Sequence, residues 1–416
     1  MNVPSRVALR PRMLSPLAAA LTLSLSACGG GGGGGTPVGT ANFQLTDAPV
    51  CANFQSVVVT VDAIQLIGTN GTSSLTLPQP LPVTLTNLVN GATLSLGNVT
   101  VPAGTYQQLR LILASNRGNG STPANYVLLN GSTTPTALST PSAQQSGYKI
   151  NGQFTVTANG QVNLTVDFNA CRSVVVAGNS GQYILKPVLN LTDDDQSGSI
   201  TGYLPAAEAG AMVMAEDNAG HILKTTMATA ASGTSTYASF TLAPLPASST
   251  GYNVVIAPPA PSTAVTPQPN FAPDVVLGVP VSAGQDTALN ASASPLAVSS
   301  TSDAFYNGTI TLPAPADTLV VAQEALNSTT TISIAQTNGV ETSSSTRQTY
   351  SMELPTAAPY VATYSASSLS FAQGTTAPTM TISAYDSQGA SGSTTTMTNA
   401  SFALSGSGDD TFDVDH

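Results

Sequence analysis

The chain has little charge, almost no histidine and no tryptophan. Aspartate, glutamate, lysine and arginine make up 7% of its 416 residues, histidine occurs twice, and aromatic residues amount to 5%. The scarcity of histidine argues against most hydrolase mechanisms, because a Ser-His-Asp arrangement holds its histidine between two partners in a packed site. His221 follows Gly220 in a turn and His416 is the last residue, so neither position offers that. No G-x-S-x-G elbow, H-E-x-x-H helix, phosphate-cradling loop or cysteine-histidine zinc spacing occurs either. The reading is therefore non-enzymatic, with no catalytic residue assigned; a glycosidase-type carboxylate pair on separate strands stays open as the alternative. Lysine and arginine total 10 against 21 acids, and they form no basic run, which speaks against a nucleic-acid partner. Without tryptophan a sugar-stacking platform is disfavoured. Tyr252, Tyr360 and Tyr364 are its only candidates, and strand alternation favours core positions for them.

One long apolar stretch is present, and it is at the start. Arg6, Arg10 and Arg12 precede a run of apolar and small residues from Met13 to Ala27, which has the form of a secretory signal peptide over 1–27. A bilayer span needs about 20 apolar residues, and this run is broken by Pro16 and several serines. Leu25-Ser26-Ala27-Cys28 resembles the bacterial lipobox, which implies lipidation of Cys28, and the Gly29 that follows implies an outer-membrane destination. Loss of residues 1–27, which contain no acid, takes the net charge from −11 to −14. Residues 28–39, with Gly29 to Gly35 in series, read as a flexible tether. Of three cysteines, Cys51 and Cys171 remain, and in an oxidising compartment they are expected to pair. Closing a loop of about 120 residues would stabilise the domain by about 4 to 5 kcal/mol. A reactive thiol is the competing reading.

Beyond the tether the pattern is β throughout. Phe43 and Leu45 alternate with polar neighbours, and short apolar or alternating runs follow at Val57 to Ile67, Val83 to Leu88, Leu94 to Val101, Leu109 to Leu113, Tyr126 to Leu129, Val162 to Phe168 and Tyr183 to Leu191. Turn pairs separate them: Asn70-Gly71, Asn90-Gly91 and Asn130-Gly131. This spacing predicts antiparallel β-sandwich packing. Four motifs then carry a resemblance: Leu45-Thr46-Asp47-Ala48-Pro49, Val101-Pro102-Ala103-Gly104-Thr105-Tyr106, Asp167-Phe168-Asn169-Ala170-Cys171-Arg172 and Tyr183-Ile184-Leu185-Lys186-Pro187. In order and spacing they resemble the bacterial lipoprotein family catalogued as domain of unknown function 4382, over 40–192. The resemblance implies a fold and an address and carries over no functional residue. An ion pair between Asp167 and Arg172 is expected at a strand end, and convergence of Asp47, Asp62 and Asp167 on a cation is the alternative.

Thr192 to Gly198 marks a boundary. Asp193, Asp195, Ser197 and Gly198 match the opening of a calcium loop, but the position due a bidentate glutamate is Leu204. An acidic, solvated linker is the main reading, with a partial Ca2+ site at Asp193, Asp195 and Ser197 as the alternative. Residues 198–291 are similar in pattern to small sandwiches of the carboxypeptidase regulatory type, and 302–405 repeat them, with Gly198-Ser199-Ile200-Thr201 reappearing as Gly308-Thr309-Ile310-Thr311. The remainder, 406–416, reads as a frayed acidic tail. The expectation is thus an all-β chain of three tandem antiparallel sandwiches, Ig-like or prealbumin-like, after a lipoprotein signal. It would sit on the membrane through its N-terminal lipid and serve a structural or binding role. A glycan- or peptide-binding accessory module is the alternative, with an envelope protein or glycan as the partner to be found.

Overall fold

The computed structural model describes residues 36–47, 54–116, 122–177, 181–230, 235–259, 271–301, 303–311, 317–342, 347–375, 378–388, 393–403 and 408–413. Residues 1–35, with the run expected as a signal peptide and Cys28, lie outside them, as do Cys51 and the terminal 414–416. Pro37–His416 forms a compact unit of its own. The chain is all-β, with strands following one another from Val38 onward and only single helical turns between them.

The first strand, Val38–Asp47, shows why. Ala41, Phe43 and Leu45 are fully buried while Thr40, Asn42 and Gln44 are half-exposed, the period-two pattern of a sheet with one wet face. It pairs antiparallel with Leu94–Pro102 and parallel with Gln161–Phe168, and Leu189–Asp193 completes a four-stranded sheet. The facing eight-stranded sheet is built on Phe54–Gly68, which pairs with Gly104–Leu113, Tyr126–Leu129 and Gly71–Thr84. The core between them includes Phe43, Ile64, Leu109, Leu111 and Phe168. Gly71–Thr84 pairs only with Phe54–Gly68 and exposes Pro78, Pro80 and Pro82, which have no N–H to offer a stray strand.

The second and third sandwiches share one strand order. In the second, Thr229–Ala230, Tyr237–Pro246, Ser197–Pro205 and Asp286–Ala288 form one sheet; in the third, Val340–Glu341, Arg347–Pro355, Asp303–Thr311 and Gly408–Asp413 do the same. The facing sheets run Ile222–Met227, Met212–Glu216, Ser248–Ala257, Asp274–Val281 and Thr331–Asn338, Asp317–Ala325, Thr379–Gln388, Ser393–Ala403. Two corrections follow. The repeat aligns differently from the sequence match: Ile200 opposite Leu242 corresponds to Tyr306 opposite Met352, and buried Leu204 to buried Ile310, whereas the motif match set Ile200 on Ile310. A shift of an even number of residues keeps the same face inward, so alternation alone cannot detect it. The acidic tail is also not wholly frayed, because Gly408–Asp413 lies parallel to Asp303–Thr311 as an edge strand.

The sandwiches are not purely antiparallel either. In each, the strand that opens it is flanked on one side by a strand running the same way: Gln161–Phe168, Asp286–Ala288 and Gly408–Asp413. Nor are they separate beads. Tyr360–Thr363, which follows the last strand of the Arg347–Pro355 hairpin, pairs parallel with Asp274–Val281 of the second sandwich. With Ala372–Gln373 paired to its other side it extends that sheet to six strands, and Tyr364, Leu369 and Phe371 pack on the second core. Conversely, Met214, Val255 and Val275 turn away from their own core and are buried against Val320, Ala322, Ile332 and Ile334 of the third.

Candidate functional site

The family-like motifs build local structure. Asn169 caps the single turn Ala170–Ser173 by accepting from the Arg172 N–H at 3.1 Å. Asp47 Oδ1 accepts from the Ala170 N–H at 2.8 Å, tying the end of the first strand to the turn that carries Cys171. Thr46 donates its hydroxyl toward the carbonyls of Leu88 and Ala92, and Tyr106 donates to the carbonyl of Pro102 at 2.8 Å with its ring stacked on Phe154. Asp62 sits on the other sheet, at an irregularity between Val61 and Ala63, so it does not join Asp47 and Asp167.

Asp167 has a different partner from the one its sequence neighbourhood suggests. Its Oδ2 lies 2.8 Å from Nζ of Lys224, on the second sandwich, and both side chains are almost wholly buried. Arg172 lies within the turn Ala170–Ser173; Lys224 enters because it is paired with Ala215, whose face is the second core, so its stem runs along apolar surface. Asn90 and Gly91, expected simply as a turn, form a peg at the same junction. Asn90, with φ 57°, accepts from the Thr241 N–H at 2.5 Å and donates to the Ser239 carbonyl at 3.3 Å. Gly91 has φ 77°, and a Cβ there would meet Thr241 Cγ2 at 2.9 Å, so glycine is required twice over.

The boundary between the first two sandwiches is not a solvated linker. Asp193 Oδ1 accepts from the Asp195 N–H at 3.0 Å, Asp194 Oδ2 from Thr165 Oγ1 at 2.8 Å and Asp195 Oδ1 from Asn163 Nδ2 at 3.0 Å. Ser197 donates to the Asp194 carbonyl at 3.1 Å. The acids are spent on separate donors, and burial pushes Asp194 up to about 6. Among the described residues no group of three acids, cysteines or histidines is placed to hold a metal ion.

At the second junction the turn 217–221 docks on the third sandwich. Asn218 accepts through its carbonyl from the Thr331 N–H at 2.9 Å, and the Gly220 carbonyl accepts from Ser333 Oγ at 2.7 Å. Glu216, with no exposed surface, accepts through Oε2 from the Ser333 N–H at 2.8 Å. Burial pushes its carboxyl well above the ordinary glutamate range. His221 is mostly exposed and pairs through Nδ1 with Asp217 at 2.8 Å, outside any packed constellation. Of the tyrosines, Tyr252 is buried with its hydroxyl on the Pro246 carbonyl at 2.7 Å, and Tyr360 and Tyr364 are half-buried at the strand that joins the second and third sandwiches.

The chemistry of the described residues is therefore concentrated at two junctions. The sequence carries one signal for Lys224 and Glu216: in a chain this poor in charge, each is a lone ion inside an apolar strand, Ile222 to Met227 and Met212 to Glu216. Asn90 and Ser333 carried no such signal.

Residues 38–187 match the model of a family described as a domain of unknown function, DUF4382. No curated protein matches the chain. No helix among the described residues is long and apolar enough to cross a membrane.

Proposed function

We propose that the protein is a non-enzymatic envelope scaffold: an outer-membrane lipoprotein, anchored through Cys28, that holds three fused β-sandwiches in fixed relation away from the bilayer. The observation that carries this reading is the pair of closed junctions. A chain of independent binding modules needs solvated linkers, whereas here the ion pair Lys224–Asp167, the Asn90 peg, the Glu216–Ser333 bond and the shared strand Tyr360–Thr363 are all ordered between sandwiches. The signal-like 1–27 and the lipobox-like residues ending at Cys28 supply the address. The tyrosines face cores or junctions, which favours a structural role over a glycan platform.

The same reading includes a Cys51–Cys171 disulfide. Its support is the setting of the neighbouring residues: Asp47 is bonded to Ala170, and the Phe54 ring packs edge-on against Tyr183 at 5.6 Å, on the strand paired with Val174–Ala177. The chain thus leaves and returns beside the turn that holds Cys171. The test is detergent partitioning and metabolic acylation of wild type and Cys28→Ser in a lipoprotein-competent bacterium. Acylated wild type in the outer membrane with a soluble, folded variant supports the proposal; unacylated wild type, or a variant that still fractionates with membrane, refutes the anchor.

A further inference from the structure

Glu216 is the last residue of Met212–Glu216 and points out of the second core toward the third sandwich, with no exposed surface. Its Oε2 is used by the Ser333 N–H, and its Oε1 has no hydrogen-bond partner among the described residues. Among the described residues, the groups around it offer no cation. The neighbouring strand Ile222–Met227 sets Ile222 opposite it and turns Lys224 to the other face, where Asp167 holds it. Ser248–Ala257 sets Asn253 opposite, committed to the Asp217 carbonyl and Asn218. Thr331–Asn338 contains no ionisable residue, and Asp317–Ala325 brings Gln323, bonded to the Gly220 carbonyl, followed by the buried acid Glu324. Next in the chain, Asp217 is an acid paired with His221.

A carboxylate sealed among these groups, with one oxygen unbonded and the acid Asp217 next to it in the chain, is unstable unless it carries a proton or reaches water. Water can reach it only if the turn 217–221 lifts from Thr331 and Ser333. We propose that the contact between the second and third sandwiches is a pH-gated latch, closed while Glu216 is a carboxylic acid and released as it ionises. The inference goes beyond the scaffold reading, which requires only that the junction be closed under one condition. The sign follows from linkage. The open state binds its proton at the ordinary glutamate value and the closed state above it, so closure is fully stable in acid and weakens as pH rises through the closed-state value.

The test is amide hydrogen exchange of the intact chain, wild type against Glu216→Gln, at matched pH so that chemical exchange rates cancel. At pH 5 the two should exchange alike. Above it, wild-type exchange in Met212–Glu216 and Thr331–Asn338 should outrun the variant by up to about tenfold per pH unit, while Phe54–Gly68 stays at a ratio of one. Ser333→Ala, which loses the hydroxyl bond to Gly220 and keeps the N–H, should loosen the junction equally at both pH values. A wild-type to Gln ratio that stays near one at pH 8.5, or that is the same at pH 5 and 8.5, overturns the latch. If the Gln variant does not fold, wild-type junction exchange at pH 8.5 against pH 5, corrected by unstructured peptides, gives the same decision.

Discussion

Removing the charge of Lys224 tests how the first junction is held. Lys224→Met keeps an apolar stem of similar length and leaves Asp167, 8% exposed, without its cation. Its Oδ1 already lacks a hydrogen-bond partner among the described residues, so nothing there takes up the charge. Breaking a buried pair from one side costs about 3 to 5 kcal/mol, and the lower figure suits a carboxylate at a sandwich mouth that retains a little contact with solvent. A loss of about 3 kcal/mol raises the opening constant by roughly two decades. Exchange of the Ser239 and Thr241 amides, beside the Asn90 peg, should therefore accelerate about a hundredfold, insensitive to salt because the pair is buried. Asp167→Asn with Lys224→Met should recover most of that loss, since two neutral side chains leave no uncompensated charge. Acceleration below threefold in the single variant, or a double variant as loose as the single, would refute a buried ion pair as the tie.

Four further outcomes follow. Phe43→Ala, at a fully buried position of the first core, should destabilise that sandwich by about 3 to 5 kcal/mol in urea unfolding followed by circular dichroism. Gly91→Ala should weaken the first junction by strain and by contact with Thr241, visible as faster exchange at Thr241 with the Phe54–Gly68 strand unchanged. Burial pushes Asp274 and Glu324 up to about 7, so their contribution to stability is complete below about pH 4 and is lost as pH rises through about 7. Calorimetry should find a higher Tm at pH 5 than at pH 8, and Asp274→Asn should raise the pH 8 value by a few degrees with little change at pH 5. Thiol counting on the denatured mature protein should find neither Cys51 nor Cys171 free; two reactive thiols would remove the disulfide.

What the sequence made legible was local. The alternation of Ala41, Phe43 and Leu45 and the turn at Asn90 and Gly91 follow from the period of a strand and from positive φ, and both can be read without a partner in view. What it hid was non-local. Tyr360–Thr363 reads like any short strand, yet it pairs with Asp274–Val281 of the preceding sandwich because that edge was open, and no pattern within four residues encodes an edge. Asp167 has Arg172 near in sequence and Lys224 in space, and proximity along the chain was the misleading cue. The acids at 193–195 looked like a calcium loop or a solvated linker because their donors, Thr165 and Asn163, lie on a strand some thirty residues earlier.

The central claim is that the three sandwiches move as one body. The most direct measurement is backbone 15N relaxation of the intact chain, sandwich by sandwich, at pH 5. The account predicts one common rotational correlation time for the first, second and third sandwiches. Separate, shorter times for any of them would show independent tumbling and contradict it.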